Sequence, residues 1–264
     1  MRHSLSPALH NAAFEAAGVD WRFVAFDVAP GSATDAVAAM RTLGIGGFAV
    51  TMPHKADVAA AVDEVDEAAA ALQSVNTVVL REDGTTFGAS TDGQGFVDSL
   101  RGEGVDLDGR RVVVLGAGGA ARSIVDALGR SGVVDIALVN RTAATAAAVS
   151  ELAEMARAGG LDDIAAADVL VNTTSVGMGS DELPVDPSVL HDRLTVADIV
   201  YHPLRTALLV AAEAAGAATV DGLGMLVHQA VLQQRLWTGV APDPLVMRRA
   251  AEAELASRTS SLAG

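Results

Sequence analysis

A chain of 264 residues, half of them apolar, can bury one large core or two moderate ones, so disorder is not its default. Its formal net charge is −15 and no basic run occurs, which argues against nucleic acid and anionic membrane surfaces as partners. The absence of cysteine excludes a disulfide framework, a zinc ribbon and a thiolate nucleophile.

The six histidines form no His-x-x-x-His pair and join no carboxylate cluster, so no metal site is expected. The first residues lack a signal-peptide core, and charges break the Ala-rich stretches well short of the roughly 18 residues that read as a membrane span. The chain therefore reads as soluble and cytoplasmic.

Ser6-Pro7 opens the first helix, with Ser6 expected at the N-cap and Pro7 at the first helical position, and Gly18 closes it. Strands are expected over 21–28, 47–51 and 75–80, separated by helices over 33–43 and 56–71. Asp83-Gly84 supplies the turn of a hairpin that pairs 78–81 with 86–89. This alternation predicts an α/β layer with a mainly parallel sheet.

A second unit begins after Gly109. An apolar strand over 111–115 leads into the turn Gly116-Ala117-Gly118-Gly119-Ala120-Ala121, and a helix continues over 123–130. A strand over 135–140, a helix over 142–156 and strands over 168–172, 194–200 and 218–220 complete a doubly wound, Rossmann-type outline. Helices over 223–237 and 244–258 finish the chain, with a frayed tail over 259–264.

Lys55 is the sole lysine beside seventeen arginines and lies in Thr51-Met52-Pro53-His54-Lys55, where an apolar strand ends. Arginine stays protonated in any protein environment, whereas a lysine can exchange a proton with a substrate, so the residue type points to acid/base chemistry. Gly116-x-Gly118-x-x-Ala121 between a strand and a helix fits a dinucleotide pyrophosphate: a tight turn, close backbone approach and close helix packing.

The next strand ends in Asn140-Arg141-Thr142 rather than in an acidic residue, and a guanidinium there suits a 2′-phosphate, so NADP is favoured over NAD. Ser4 and Ser6 at the mouth of the first helix suit a carboxylate. Asn76 at a strand start can read a hydroxyl, and Asp92, between a strand and a helix, can either cap that helix or work with Lys55.

Eight segments in order resemble the shikimate dehydrogenase family. They are His3 to Asn11, Val50 to Lys55, Val75 to Val78, Thr91 to Phe96, Gly116 to Arg122, Asn140 to Thr142, Asn172 to Met178 and Asp221 to Gln229. The resemblance implies hydride exchange between NADPH and 3-dehydroshikimate to give shikimate. It implies that Ser4 and Ser6 bind the substrate carboxylate, that Thr51, Asn76, Asp92 and Gln229 hold its hydroxyls, and that Tyr201 closes the pocket.

Lys55 is then the acid/base residue with Asp92 as partner, and the cofactor residues are Gly116, Ala117, Gly118, Gly119, Ala120, Asn140, Arg141, Thr142, Ile199, Gly222 and Met225. The implied organisation is a substrate domain over 1–92, completed by helices over 222–264, and a cofactor domain over 93–221. The implied partner is a small molecule, and the implied state is a monomer or a homodimer. A quinate-directed paralogue and a non-catalytic NADP-binding homologue are the alternatives.

Three departures from the family pattern stand out. Only Met1 and Arg2 precede a motif that a strand usually precedes, so a first strand is expected to be lacking. Thr145 stands where a second cation often helps to clamp the 2′-phosphate, and Gln234-Arg235 replaces a common aromatic-acidic pair.

Overall fold

The structure is a computed structural model that describes residues 4–262; Met1 and Arg2, and with them the expectation of a lacking first strand, lie outside the described residues. The chain forms two compact α/β units, Met1–Thr91 with Val227–Gly264, and Asp92–Leu226.

The first unit contains α1 (Ser6–Ala17), α2 (Ala33–Leu43), β1 (Gly47–Ala49), α3 (Lys55–Ala61), β2 (Glu64–Val65), α4 (Glu67–Leu72), β3 (Thr77–Leu80) and β4 (Thr86–Ala89). Its sheet has the order β1-β3-β4-β2, with β1/β3 and β3/β4 antiparallel and only β2/β4 parallel. The expected mainly parallel sheet is thus wrong for this unit. The β3–β4 hairpin accounts for much of the difference: Gly84 takes φ 83°, Asp83 accepts from both the amide and the hydroxyl of Thr85, and a hairpin is antiparallel by construction.

The helix expected over 56–71 is broken into α3 and α4. Asp63 at the break accepts from the Thr86 amide and hydroxyl at 2.7 and 2.8 Å and from Arg41 at 2.8 Å, and these bonds outweigh the helix propensity of the flanking alanines. Asp66 then caps α4 by accepting from the Ala69 amide at 2.7 Å.

No strand forms over 21–28. The Asn11 side chain occupies both main-chain groups of Phe23, donating to its carbonyl at 2.9 Å and accepting from its amide at 2.8 Å, as a neighbouring strand would. Gly46 and Gly47 are required by indoles: a Cβ on either would lie 2.3 Å from Trp21 or Trp237, and Trp237 is fixed by donating to the Val78 carbonyl.

The second unit runs α5 (Asp92–Gly102), β5 (Arg111–Leu115), α6 (Gly119–Gly129), β6 (Asp135–Val139), α7 (Ala143–Ser150), β7 (Ala156–Ala158), β8 (Val169–Asn172), β9 (Thr195–Asp198), α8 (Ala207–Ala214) and β10 (Ala218–Val220). All six strands are parallel in the order β10-β9-β8-β5-β6-β7, a Rossmann-type doubly wound sheet. Both faces are covered, which explains the uninterrupted apolar run of β5. Val112 and Val114 pack with Phe96, Ile124 and Leu128, while Val113 and Leu115 pack with Leu170, Leu208 and Leu209.

β7 and α8 carried no expectation, and α7 ends at Ser150 rather than near 156. The chain closes with α9 (Gly222–Thr238) and α10 (Pro244–Leu262). The helix thus continues through most of the expected tail, whose last two residues lie outside the described ones. Among the described residues no helix is long and apolar enough to cross a membrane, and no group of His, Asp and Glu is placed to hold a metal.

Candidate active site

In the first unit the turn from β1 to α3 is fastened to β3 by the main chain. Val50 N donates to Asn76 O at 2.7 Å and Val75 N donates to Lys55 O at 3.0 Å, so Thr51 to Lys55 is held alongside Val75-Asn76. Within the turn His54 N donates to Thr51 O, and the His54 ring contacts the Val28 carbonyl at 3.0 Å. Thr51 is exposed and Lys55 half-buried, at the first position of α3.

Asn76 is 2% exposed, and its amide is held on several sides. Oδ1 accepts from Thr91 N at 2.9 Å and from Thr77 Oγ1 at 2.9 Å, and Nδ2 donates to Thr91 Oγ1 at 3.0 Å. Thr91 directly precedes Asp92, the first residue of α5. Gln229, 8% exposed, lies one turn before Gln233 on α9, and Gln233 donates to Asn76 O and Thr77 Oγ1 at 3.3 and 3.1 Å.

The serines exchange the roles read from the sequence. Ser6 is the first helical residue of α1 and Leu5 sits at the cap without a side-chain bond. Ser4 instead accepts from Ser6 N at 3.2 Å, and Arg258 of α10 donates to the Ser4 carbonyl at 2.9 Å. Both serines are half-buried, and Pro7 removes one amide from that helix end.

His10, Thr77, Thr91 and Gln233 were missed as site residues by sequence reasoning. His10 is fully buried, stacked on Phe23 at 4.6 Å between ring centroids, and bonded through Nε2 to Gln233 Oε1 and through Nδ1 to Gln234 Nε2, both at 3.2 Å. Burial lowers its pKa from 6.5 to about 3, against a smaller opposing effect of the Gln233 bond. Between those values the unfolded chain binds the extra proton, so this contribution is present in full above 6.5 and is lost as pH falls toward 3. Chemical denaturation at pH 7.5 and 5.5 is expected to show about 1.4 kcal/mol less stability from this residue at the lower pH. A His10→Phe variant should lose that part of the slope; an unchanged slope would contradict the assignment.

In the second unit the parallel register pairs Leu115 with Val139 and with Asn172, so Gly116, Asn140 and Thr173 emerge at one sheet edge. Gly116 has φ 102°, and a Cβ there would lie 2.7 Å from Thr173 Oγ1. Gly118 and Gly119 differ: beyond their chain neighbours and the helix's own backbone, no protein atom lies within 4 Å of a Cβ on either, so side-chain packing does not require them. No side chain caps α6 above them. This open space at a helix N-terminus fits the pyrophosphate of a dinucleotide. Ala117 is buried and Ala120 half-buried on the same turn.

Asn140 donates to Thr142 O at 3.0 Å, leaving Arg141 and Thr142 exposed at the start of α7, where a guanidinium can meet a 2′-phosphate. On the other side of β5, Gly222 is set by close packing, since a Cβ would lie 2.4 Å from Ile199 O. Ile199 and Met225 pack against one core cluster, and half-buried Tyr201 follows two residues after Ile199. The expected cofactor residues thus gather at the carboxyl edge of this sheet, and in the first unit Thr51 and Lys55 lie alongside Asn76 at the start of β3, with Gln229 on α9 one turn before Gln233.

Comparison with known proteins shows the family. Residues 1–78 match the shikimate dehydrogenase substrate binding domain, 100–178 the shikimate / quinate 5-dehydrogenase family and 222–252 the shikimate 5′-dehydrogenase C-terminal domain. The chain is 44% identical to the shikimate dehydrogenase (NADP(+)) of Rubrobacter xylanophilus over 262 residues, covering 96% of this chain and 92% of that protein. It resembles the crystal structure of Thermus thermophilus shikimate 5-dehydrogenase with NADP(H) and shikimate at a TM-score of 0.90 and 36% identity, over 96% and 95% of the two chains. The ligand-free 5-ketofructose reductase of a Gluconobacter species is similar at a TM-score of 0.89 and 35% identity, over 95% and 94%. The chain belongs to the shikimate dehydrogenase family.

Proposed function

We propose that the protein is an NADP-dependent shikimate dehydrogenase that interconverts 3-dehydroshikimate and shikimate on the way to chorismate and the aromatic amino acids. The observation that carries this reading is the fastening of the Thr51 to Lys55 turn onto Val75-Asn76, which sets the sole lysine beside a buried, oriented amide. Residues 1–92 with 222–264 serve the substrate and residues 93–221 the cofactor. A cytoplasmic location and a monomeric or homodimeric state complete the reading.

In this assignment Ser4 and Ser6 hold the carboxylate, while Thr51, Asn76, Asp92 and Gln229 hold hydroxyls and Tyr201 closes over the ring. Lys55 donates a hydrogen bond to the carbonyl oxygen and then the proton as negative charge develops there, with Asp92 as its partner in proton exchange. When bound, NADPH supplies the hydride to the carbonyl carbon. Gly116, Ala117, Gly118, Gly119, Ala120, Asn140, Arg141, Thr142, Ile199, Gly222 and Met225 would hold it.

Arg141 carries the choice between the two nicotinamide cofactors, because Thr145 offers no second cation. Arg141→Ala is expected to raise KM for NADP+ by roughly tenfold to a hundredfold, the scale of a lost charge-assisted bond, with little effect on NAD+. Initial rates with both cofactors check this. Wild-type efficiency with NAD+ equal to that with NADP+ would overturn the cofactor assignment.

A quinate- or other polyol-directed specificity is the second reading, favoured by the likeness to the ketofructose reductase. The Ser4/Ser6 pair favours shikimate, because quinate carries an additional hydroxyl on the carbon that bears the carboxylate. Rates of NADP+ reduction with shikimate and quinate decide between them, with kcat/KM expected to favour shikimate by at least about tenfold. A non-catalytic homologue is disfavoured because Lys55 and Asp92 are both retained.

A further inference from the structure

Gln234, which breaks the family pattern, and Gln233 flank a buried histidine, and the bonds that follow run in one direction. Gln234 Nε2 donates to His10 O at 2.9 Å and to His10 Nδ1 at 3.2 Å. A donor at Nδ1 requires a lone pair there, so the ring proton sits on Nε2 and is given to Gln233 Oε1. That fixes the Gln233 amide with its nitrogen toward Thr77 Oγ1 and Asn76 O. Thr77 Oγ1, accepting from Gln233, sends its own proton to Asn76 Oδ1 at 2.9 Å.

His10, Asn76, Thr77, Gln233 and Gln234 are all no more than 2% exposed, so water cannot replace a missing partner. Reversing the Asn76 amide would set its NH2 against two donors, the Thr91 amide and the Thr77 hydroxyl. Thr77 could turn its proton away only by facing the Gln233 NH2 or by donating to Thr91 Oγ1 at the longer distance of 3.4 Å, an oxygen that already accepts from Asn76 Nδ2. Reversing the Gln233 amide in turn requires the other His10 tautomer, which Gln234 opposes. The neutral ring needed throughout is secured by burial.

We propose that the relay Gln234–His10–Gln233–Thr77, acting with the Thr91 amide, holds the end of the Asn76 amide that meets the substrate, making Thr77 and Gln233 positioning residues for substrate binding. The inference rests on the reading of Asn76 as a substrate ligand. It also gives α1, which begins at Ser6, a polar connection through α9 to β3 and Asn76, so a disturbance in the relay is felt by the substrate and not by the cofactor.

Thr77→Val and Gln233→Met keep shape and remove the relevant polar atoms. Each is expected to raise KM for shikimate about tenfold while KM for NADP+ and kcat stay within about twofold. Thr77→Ser, which keeps the hydroxyl, should restore KM to within about twofold of wild type. In an Asn76→Ala background Thr77→Val should add nothing further, whereas a merely structural loss would add in full. Unchanged KM for shikimate in both Thr77→Val and Gln233→Met, alongside a raised value in Asn76→Ala, overturns the inference alone. An unchanged KM in Asn76→Ala overturns the ligand assignment and the inference with it. Additive effects in the double variant, or failure of Thr77→Ser to restore binding, also count against it.

Discussion

Asp198→Ala is expected to destabilise the protein by about 3–5 kcal/mol, the largest loss of stability anticipated for any single substitution considered. Asp198 ends β9 and is 1% exposed. Its Oδ1 accepts from Asn172 Nδ2 and from Val200 N, both at 3.0 Å, and its Oδ2 accepts from Thr206 Oγ1 at 2.7 Å. Removing the carboxylate strands three buried donors on three segments, the end of β8, the chain after β9 and the cap of α8.

Burial pushes the Asp198 pKa up from 3.8, against the lowering effect of the three bonds, Thr206 foremost. A raised folded-state value means that this group favours folding less as pH rises from 3.8 through that value. Asp198→Asn removes the charge and keeps one acceptor, so its loss should be the smaller, about 1–2 kcal/mol. Chemical denaturation of the two variants near neutral pH tests the order. An alanine variant as stable as wild type would mean that the three donors find other partners. Ile199, one of the proposed cofactor residues, directly follows Asp198, so KM for NADP+ should rise in the alanine variant as well.

Lys55→Ala is expected to lower kcat with shikimate by roughly a hundredfold to ten-thousandfold, the usual contribution of a positioned acid/base group. Loss of fold is not the reason anticipated, because the two bonds that hold the turn, Val75 N to Lys55 O and Val50 N to Asn76 O, are main-chain bonds. Lys55→Arg separates charge from proton exchange. A guanidinium keeps the positive charge but does not give up a proton, so this variant should be nearly as impaired as alanine. Near-wild-type turnover in Lys55→Arg would reduce Lys55 to an electrostatic role.

The second unit was the more legible in the sequence because its central strands are buried on both faces and read as uninterrupted apolar runs, as in Val112 to Leu115. β7 escaped notice for the opposite reason: Ala156-Arg157-Ala158 is short and half exposed at the sheet edge, with Arg157 paired to Asp135 and Asp163. In the first unit local pattern misled twice. The alanines of 56–71 hid a break made by partners distant in sequence, Thr86 and Arg41, and the strand-like 21–28 segment is held by side chains, Asn11 at Phe23 and His54 at Val28, rather than by a neighbouring strand.

Candidate site residues in strand-to-helix turns stand out in a sequence because turn chemistry is local, as at Gly116. The residues that orient them do not. Gln233 bonds Thr77 across 156 positions and Gln234 bonds His10 across 224, and no spacing rule connects them. Even the serine pair was half read: both residues were found, but Ser4 rather than Ser6 supplies the side-chain acceptor at the helix start.

The most direct measurement is shikimate-dependent reduction of NADP+ by the purified wild type and by Lys55→Ala, with melting temperatures recorded for both. The account predicts clear turnover by the wild type and a loss of at least about a hundredfold in kcat for the variant at little change in melting temperature. A wild type inactive with shikimate, or a Lys55→Ala variant that turns over as fast as the wild type, would contradict it.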